Sequence, residues 1–187
     1  MRWRQWRFIV LAGVLAICGL TGHWWREVWL EHSQDTPIRV AARRYGLEPA
    51  LVKAVVWRES HFNPAARGRA HELGLMQLQE DAALEWAASE HIPGFEHQQC
   101  LDPMTNALAG TWYLTKLLHR YQRTDNPLAY ALADYNAGRG NVLKWNSGEA
   151  MTNSAAFLSQ IGFPGTKAYV ESILQRYQRY RPVFLAD

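Results

Sequence analysis

The sequence has 187 residues, enough for one domain with a real core plus a short appendage, so one function is expected and not several. Its 20 basic and 17 acidic side chains give a formal charge of +3, and Arg2, Arg4 and Arg7 supply that excess before residue 8. The rest of the chain is balanced and carries no long basic run or stripe, which excludes nucleic acid as a partner even though aromatics are plentiful.

The first element is apolar. From Phe8 to Leu20 every residue is apolar, Gly or Cys, with Trp3 and Trp6 on one side and Trp24 and Trp25 on the other. Trp6 to Trp25 approaches the roughly 20 residues that cross hydrocarbon, the arginines place the N-terminus in the cytoplasm, and the tryptophans fall at the two interfaces. A cleavable signal peptide is the rival reading, but no small-x-small cleavage site follows. Residues 1–30 are therefore read as an N-terminal transmembrane or signal segment, with the flanks favouring the anchor, and residues 31–36, "EHSQDT", as a polar linker. Cys18 serves as apolar filler, and Cys100, the one cysteine beyond this segment, offers no disulfide or CxxC site.

Beyond the linker one punctuation recurs: Thr36-Pro37, Glu48-Pro49, Asp102-Pro103 and Asn126-Pro127 each precede apolar residues at helical spacing. Gly46 and Gly138 fall where helices should stop, and no segment alternates with the period of a strand. The pattern predicts helices near 37–45, 49–60, 80–89, 103–121, 127–136 and 166–180, with a short one near 140–145. The domain is expected to be all-α. The polar stretch "NSGEAMTNSAAF", 146–157, reads as a mobile loop.

One position in the second of these helices is chemically unusual. Val52, Val55 and Val56 precede Glu59 by seven, four and three residues, so they share a helical face with its carboxyl. Low-dielectric surroundings disfavour a carboxylate and raise its pKa, the condition for a general acid near neutral pH. The plainer alternative is a glutamate at a frayed helix end that reaches water past the apolar stripe.

"ESHFNP", then "GLMQ" (Gly74 to Gln77) starting fifteen residues after Glu59, then "DPMTNALAGTWYLTKLL" and "ALADYNAGRGNV", occur in that order. Together they resemble the soluble-type lytic transglycosylase (SLT) domain, a relative of goose-type lysozyme, over roughly residues 37–181. The resemblance implies a lysozyme-like helical fold and a peptidoglycan lytic transglycosylase. Glu59 matches the family's single catalytic acid, which protonates the glycosidic oxygen between N-acetylmuramic acid and N-acetylglucosamine. It then serves as base toward the muramyl C6 hydroxyl, which closes to a 1,6-anhydro product without consuming water. The resemblance also implies that Met76 and Gln77 line the sugar groove, that Tyr135 hydrogen-bonds or flanks the acid with Asn136 beside it, and that Tyr169 closes the far side. No cofactor or metal is implied. The partners it implies are peptidoglycan glycan strands and, through the N-terminal segment, the inner membrane. An inner-membrane, single-pass protein with a periplasmic domain is expected, or a periplasmic protein if the segment is cleaved.

The chain departs from the family's pattern at several places. Gly68 stands where many members have serine, His71-Glu72 replaces a Gly-Ala pair, Pro164-Gly165-Thr166 lacks an acidic side chain, and Asp134 replaces alanine. Glu72, Asp81 and Asp134 are candidate second carboxylates for a hydrolytic, muramidase reading. His71-Glu72 begins the zincin pattern HExxH, but Leu75 occupies the place of the second histidine, which argues against a metal. A membrane-tethered, non-catalytic peptidoglycan-binding protein is the alternative from another class. The short linker would keep cutting close to the membrane, as an envelope-spanning assembly or wall insertion would need.

Overall fold

Proline opens helix after helix. The computed structural model describes residues 19–22, 24–26 and 28–185. Within them α1 spans Asp35–Tyr45 and α2 Pro49–Ser60. Helix α3 spans Glu80–Ser89, a 3-10 turn covers His97–Leu101, and α4 spans Pro103–Arg120. Helices α5 (Pro127–Ala137) and α6 (Arg139–Trp145) follow, then a 3-10 turn at Gly148–Met151, α7 (Ser154–Gln160) and α8 (Pro164–Tyr180). Pro49, Pro103, Pro127 and Pro164 sit in first turns, where a missing N–H costs nothing and a fixed φ favours the helix. At Asp102 the side chain also accepts from the Thr105 N–H, a true N-cap. Helix α1 stops at Gly46, whose φ of 70° closes a bond from its N–H to the Ala42 carbonyl.

The centre of the core is α2, buried on every side from Pro49 to Val56. It packs against α1 and α8, while α4 bridges α1, α3 and α5. A helix so enclosed must settle any charge it carries. Lys53 is 2 % exposed, and its Nζ donates to Asp35 Oδ1 at 2.6 Å and lies 4.2 Å from the Phe184 ring centre. An opposite charge and an aromatic face together offset the loss of water around the ammonium.

Three expectations are revised. The stretch 31–36, read as a linker, is helical at 31–33 and again from Asp35, because Asp35 is the partner of Lys53 and Glu31 accepts from Tyr180 Oη at 2.7 Å. The segment 146–157 is not loose loop. It holds the 3-10 turn and the start of α7, where Asn153 caps the Ala156 N–H and Phe157 stacks on Tyr130 with ring centres 4.1 Å apart. The last helix starts at Pro164, two residues before the expected 166. The apolar span assigned to residues 8–20 lies outside the described residues except at Gly19 and Leu20. Among the described residues no helix is long and apolar enough to cross a membrane.

Candidate active site

Helix α2 delivers Glu59 to the edge of the core and then stops abruptly. His61 and Phe62 both adopt the left-handed conformation, with φ of 49° and 63°, and the His61 N–H closes the helix on the Trp57 carbonyl. Such a turn costs a non-glycine residue about 1 kcal/mol or more, and burial of Phe62 in the core holds it. The chain then folds back as a pinned flap. The Gly68 N–H donates to the Glu72 carbonyl, the Gly74 N–H to Ala66, and Leu73 and Leu78 exchange both backbone bonds.

Flap and helices enclose a cleft of about 1040 Å³. Its floor and one side carry Arg58, Glu59, Tyr113, Tyr135, Asn136 and Tyr169, and its flap side carries Gly68, Arg69, Glu72 and Gln77. Glu59 is half-buried, and Tyr169 Oη donates to its Oε1 at 2.5 Å. Burial raises the Glu59 pKa from 4.5 to about 7, against the opposing effects of the Tyr169 hydrogen bond and the nearby Arg58 charge and with a small push from Glu72. Burial, reinforced by Glu59, likewise holds the phenols of Tyr169 and Tyr135 well above their ordinary 10.0, so both remain donors. The site thus contains a carboxyl poised between its two protonation states at neutral pH, with a fixed donor on one oxygen.

The residues named from the sequence do not all take the places assigned to them. Gln77 lines the cleft with a φ of 45° and anchors its amide by donating from Nε2 to the Gly74 carbonyl at 2.8 Å. Its side-chain oxygen is thereby turned toward Gly68. Asn136 lines the cleft and accepts from Thr166 Oγ1 at 2.8 Å. Tyr169 donates to the acid, whereas Tyr135, expected to hydrogen-bond or flank it, lines the same cleft and donates from Oη to the Met76 carbonyl at 2.7 Å. Met76 does not line the groove. Its side chain is fully buried and presses into the notch left by Gly110, where an added Cβ would lie 2.5 Å from Sδ. A flexible thioether is well suited to such a gap.

Of the proposed second carboxylates, Glu72 lies in the cleft. Asp134 is 2 % exposed and is committed elsewhere, to Arg120 Nη1 at 2.6 Å and to the Tyr121 hydroxyl at 2.7 Å. Asp81 is exposed in the first turn of α3, where its charge suits the helix dipole.

Two contributions went unnoticed in the sequence. Asn106 is fully buried and clamps the flap: its Oδ1 accepts from the Met76 N–H at 2.7 Å, and its Nδ2 donates to the Leu73 and Cys100 carbonyls, each at 2.8 Å. Tyr113 adds a second aromatic wall, 5.5 Å from Tyr135 between ring centres. Asn106, Gly110 and Tyr113 are spaced i, i+4 and i+7, so a polar, a small and an aromatic residue form one stripe on α4. That stripe is the signal that could have found them.

The chain is similar to known proteins over this same region. A family model described as the transglycosylase SLT domain matches residues 36–158. Soluble lytic murein transglycosylase from Escherichia coli (strain K12) is 35% identical over 136 residues, which cover 72% of this chain and 20% of that protein. Membrane-bound lytic murein transglycosylase F from Desulfosudis oleivorans is 38% identical over 108 residues, covering 56% of this chain and 22% of the relative. The chain thus spans about a fifth of the length of these curated relatives. Among solved structures, an inactive mutant of lytic transglycosylase Slt from Pseudomonas aeruginosa superimposes with a TM-score of 0.70 and 28% identity, over 78% of this chain and 23% of that one. The 70-kDa soluble lytic transglycosylase in complex with bulgecin A gives a TM-score of 0.67 and 28% identity, over 79% and 24%.

Proposed function

The chain belongs to the transglycosylase SLT family, and on that premise we propose that it is a peptidoglycan lytic transglycosylase with Glu59 as its catalytic acid and base. The observation that carries this reading is the half-buried Glu59 carboxyl with a pKa of about 7, aimed into a cleft large enough for sugars. Protonated Glu59 gives its proton to the glycosidic oxygen as the bond from the muramyl C1 breaks. The resulting carboxylate, held by the Tyr169 hydroxyl, takes the proton of the muramyl C6 hydroxyl as that oxygen bonds to C1. The proton count returns to its start, the product is a 1,6-anhydro end, and no water is consumed. Since the nucleophile belongs to the substrate, one carboxylate suffices where other glycosidases use two. A related solved enzyme is inactive as a glutamate-to-glutamine mutant, which supports a single decisive acid.

Around this acid Gln77, Asn136 and Tyr113 supply amide and aromatic surface for N-acetyl sugars. The domain works in the periplasm, tethered to the inner membrane through residues 8–20. The tryptophan and arginine flanks support this, and the relatives include soluble and membrane-bound enzymes. The helical, side-chain-anchored stretch after residue 28 leaves little slack, so cutting stays local to the membrane and suits opening the wall for an envelope-spanning assembly. Clearing of a purified peptidoglycan suspension tests the assignment of the acid. Glu59→Gln should lose at least about a hundredfold in rate while still binding glycan, and full retention of cleavage would refute it.

A further inference from the structure

Gly68 and Glu72 are a matched pair. A Cβ at Gly68 would lie 2.0 Å from Glu72 Oε2 and 3.0 Å from Gln77 Oε1, so the missing side chain is the space that the carboxylate fills. Glu72 is held there by the Ala70 N–H, which donates to the same Oε2 at 2.9 Å, and by the backbone bond from Gly68 to its carbonyl at 2.8 Å. Residue 72 is half-buried, lines the cleft that contains Glu59, and has no salt-bridge partner among the described residues. An anionic acceptor fixed in a sugar-sized cleft, with Oε1 uncommitted by the loop, is built to take hydrogen bonds from a neutral ligand.

We propose that Glu72 is a positioning residue of the reaction, a second carboxylate seated by Gly68 that accepts hydrogen bonds from hydroxyl or N-acetyl N–H donors of the sugar beside Glu59. The inference rests on the reading of this cleft as the glycan site. It adds that Glu72 acts on the acid as well as on the sugar, since a like charge across the cleft favours the protonated form of Glu59. Arg58, Arg69, Tyr135 and Tyr169 face the same space, and His71 adjoins Glu72 in the flap.

Binding is tested with the N-acetylglucosamine tetramer on a Glu59→Gln background. Adding E72A should weaken binding about tenfold or more, the loss of a charge-assisted bond. G68A keeps the carboxylate but displaces it, so it should weaken binding similarly, and G68A with E72A should be no worse than E72A alone. In the otherwise native chain E72Q preserves an acceptor for the Ala70 N–H yet removes the charge. It should move the alkaline limb of the pH–rate profile to lower pH. A merely structural role would leave that limb in place. Tetramer binding unchanged by both E72A and G68A would overturn the proposal. If the native chain binds tetramer but cleaves no peptidoglycan, the activity reading fails, and the binding comparison still decides the role of Glu72.

Discussion

Glu59 meets two opposed demands. The proposed catalysis requires a carboxyl that is protonated near neutral pH, and burial provides it, but the same burial penalises the folded state once the proton leaves. The folded-state pKa of about 7 lies above the ordinary 4.5, so between these values the native state binds more protons than the unfolded chain. Stability therefore falls as pH rises through that window, by at most about 1.4 kcal/mol per unit, and stays lowered above it. Glu59→Gln, which cannot ionise, should unfold at higher temperature than the native chain above neutral pH and lose that advantage below the unfolded-state value. Melting curves across pH check this, and a destabilised mutant in alkali would contradict it. Tyr169→Phe removes the donor that opposes the upward shift, so Glu59 should hold its proton to higher pH and turnover should fall about tenfold or more. A rate profile whose alkaline limb moves down would contradict the assignment. The environment of Glu59 was legible because Val52, Val55 and Val56 share its own helix. Its donor was not, since Tyr169 lies 110 residues away and reaches it through the packing of α8 on α2.

Elements place these residues, and α4 does so through one face. Asn106 satisfies three backbone groups of the flap and its surroundings, Gly110 receives Met76, and Tyr113 faces the cleft. Asn106→Ala leaves buried groups without partners and should cost about 2–4 kcal/mol, with a larger proportional loss of glycan binding than surface substitutions cause. Urea unfolding and tetramer binding measure the two effects; a cost below about 0.5 kcal/mol would show that the clamp matters little. Helix starts were readable where a capping residue or proline announces them, as at Asp102-Pro103 and Asn126-Pro127. Helix α7 was not, because its seven residues are too few to show a helical period around Phe157 and Leu158, and it is held by tertiary contact, Phe157 on Tyr130, rather than by its own pattern. The place of Met76 was hidden for a similar reason. A groove motif and a core side chain can share one residue, and here the backbone carbonyl serves Tyr135 while the thioether fills the core.

At the scale of the molecule, a buried central helix ends at a cleft, and a flap folds over that end. The Asp35–Lys53 pair and the Glu31–Tyr180 bond tie the residues leading into the domain to its core. If residues 8–20 anchor the chain, alkaline carbonate washing of membranes should leave it in the pellet, and release into the wash would contradict the tether. The all-α architecture followed from helical periodicity and punctuation alone. The cleft did not, because it forms from residues as distant as Arg58 and Tyr169. The central claim is that Glu59 drives non-hydrolytic cleavage, and digestion of purified peptidoglycan in heavy-oxygen water tests it most directly. Mass spectrometry should find muramyl ends one water lighter than reducing ends and free of the label, with none formed by Glu59→Gln. Labelled reducing ends from the native chain would contradict the account.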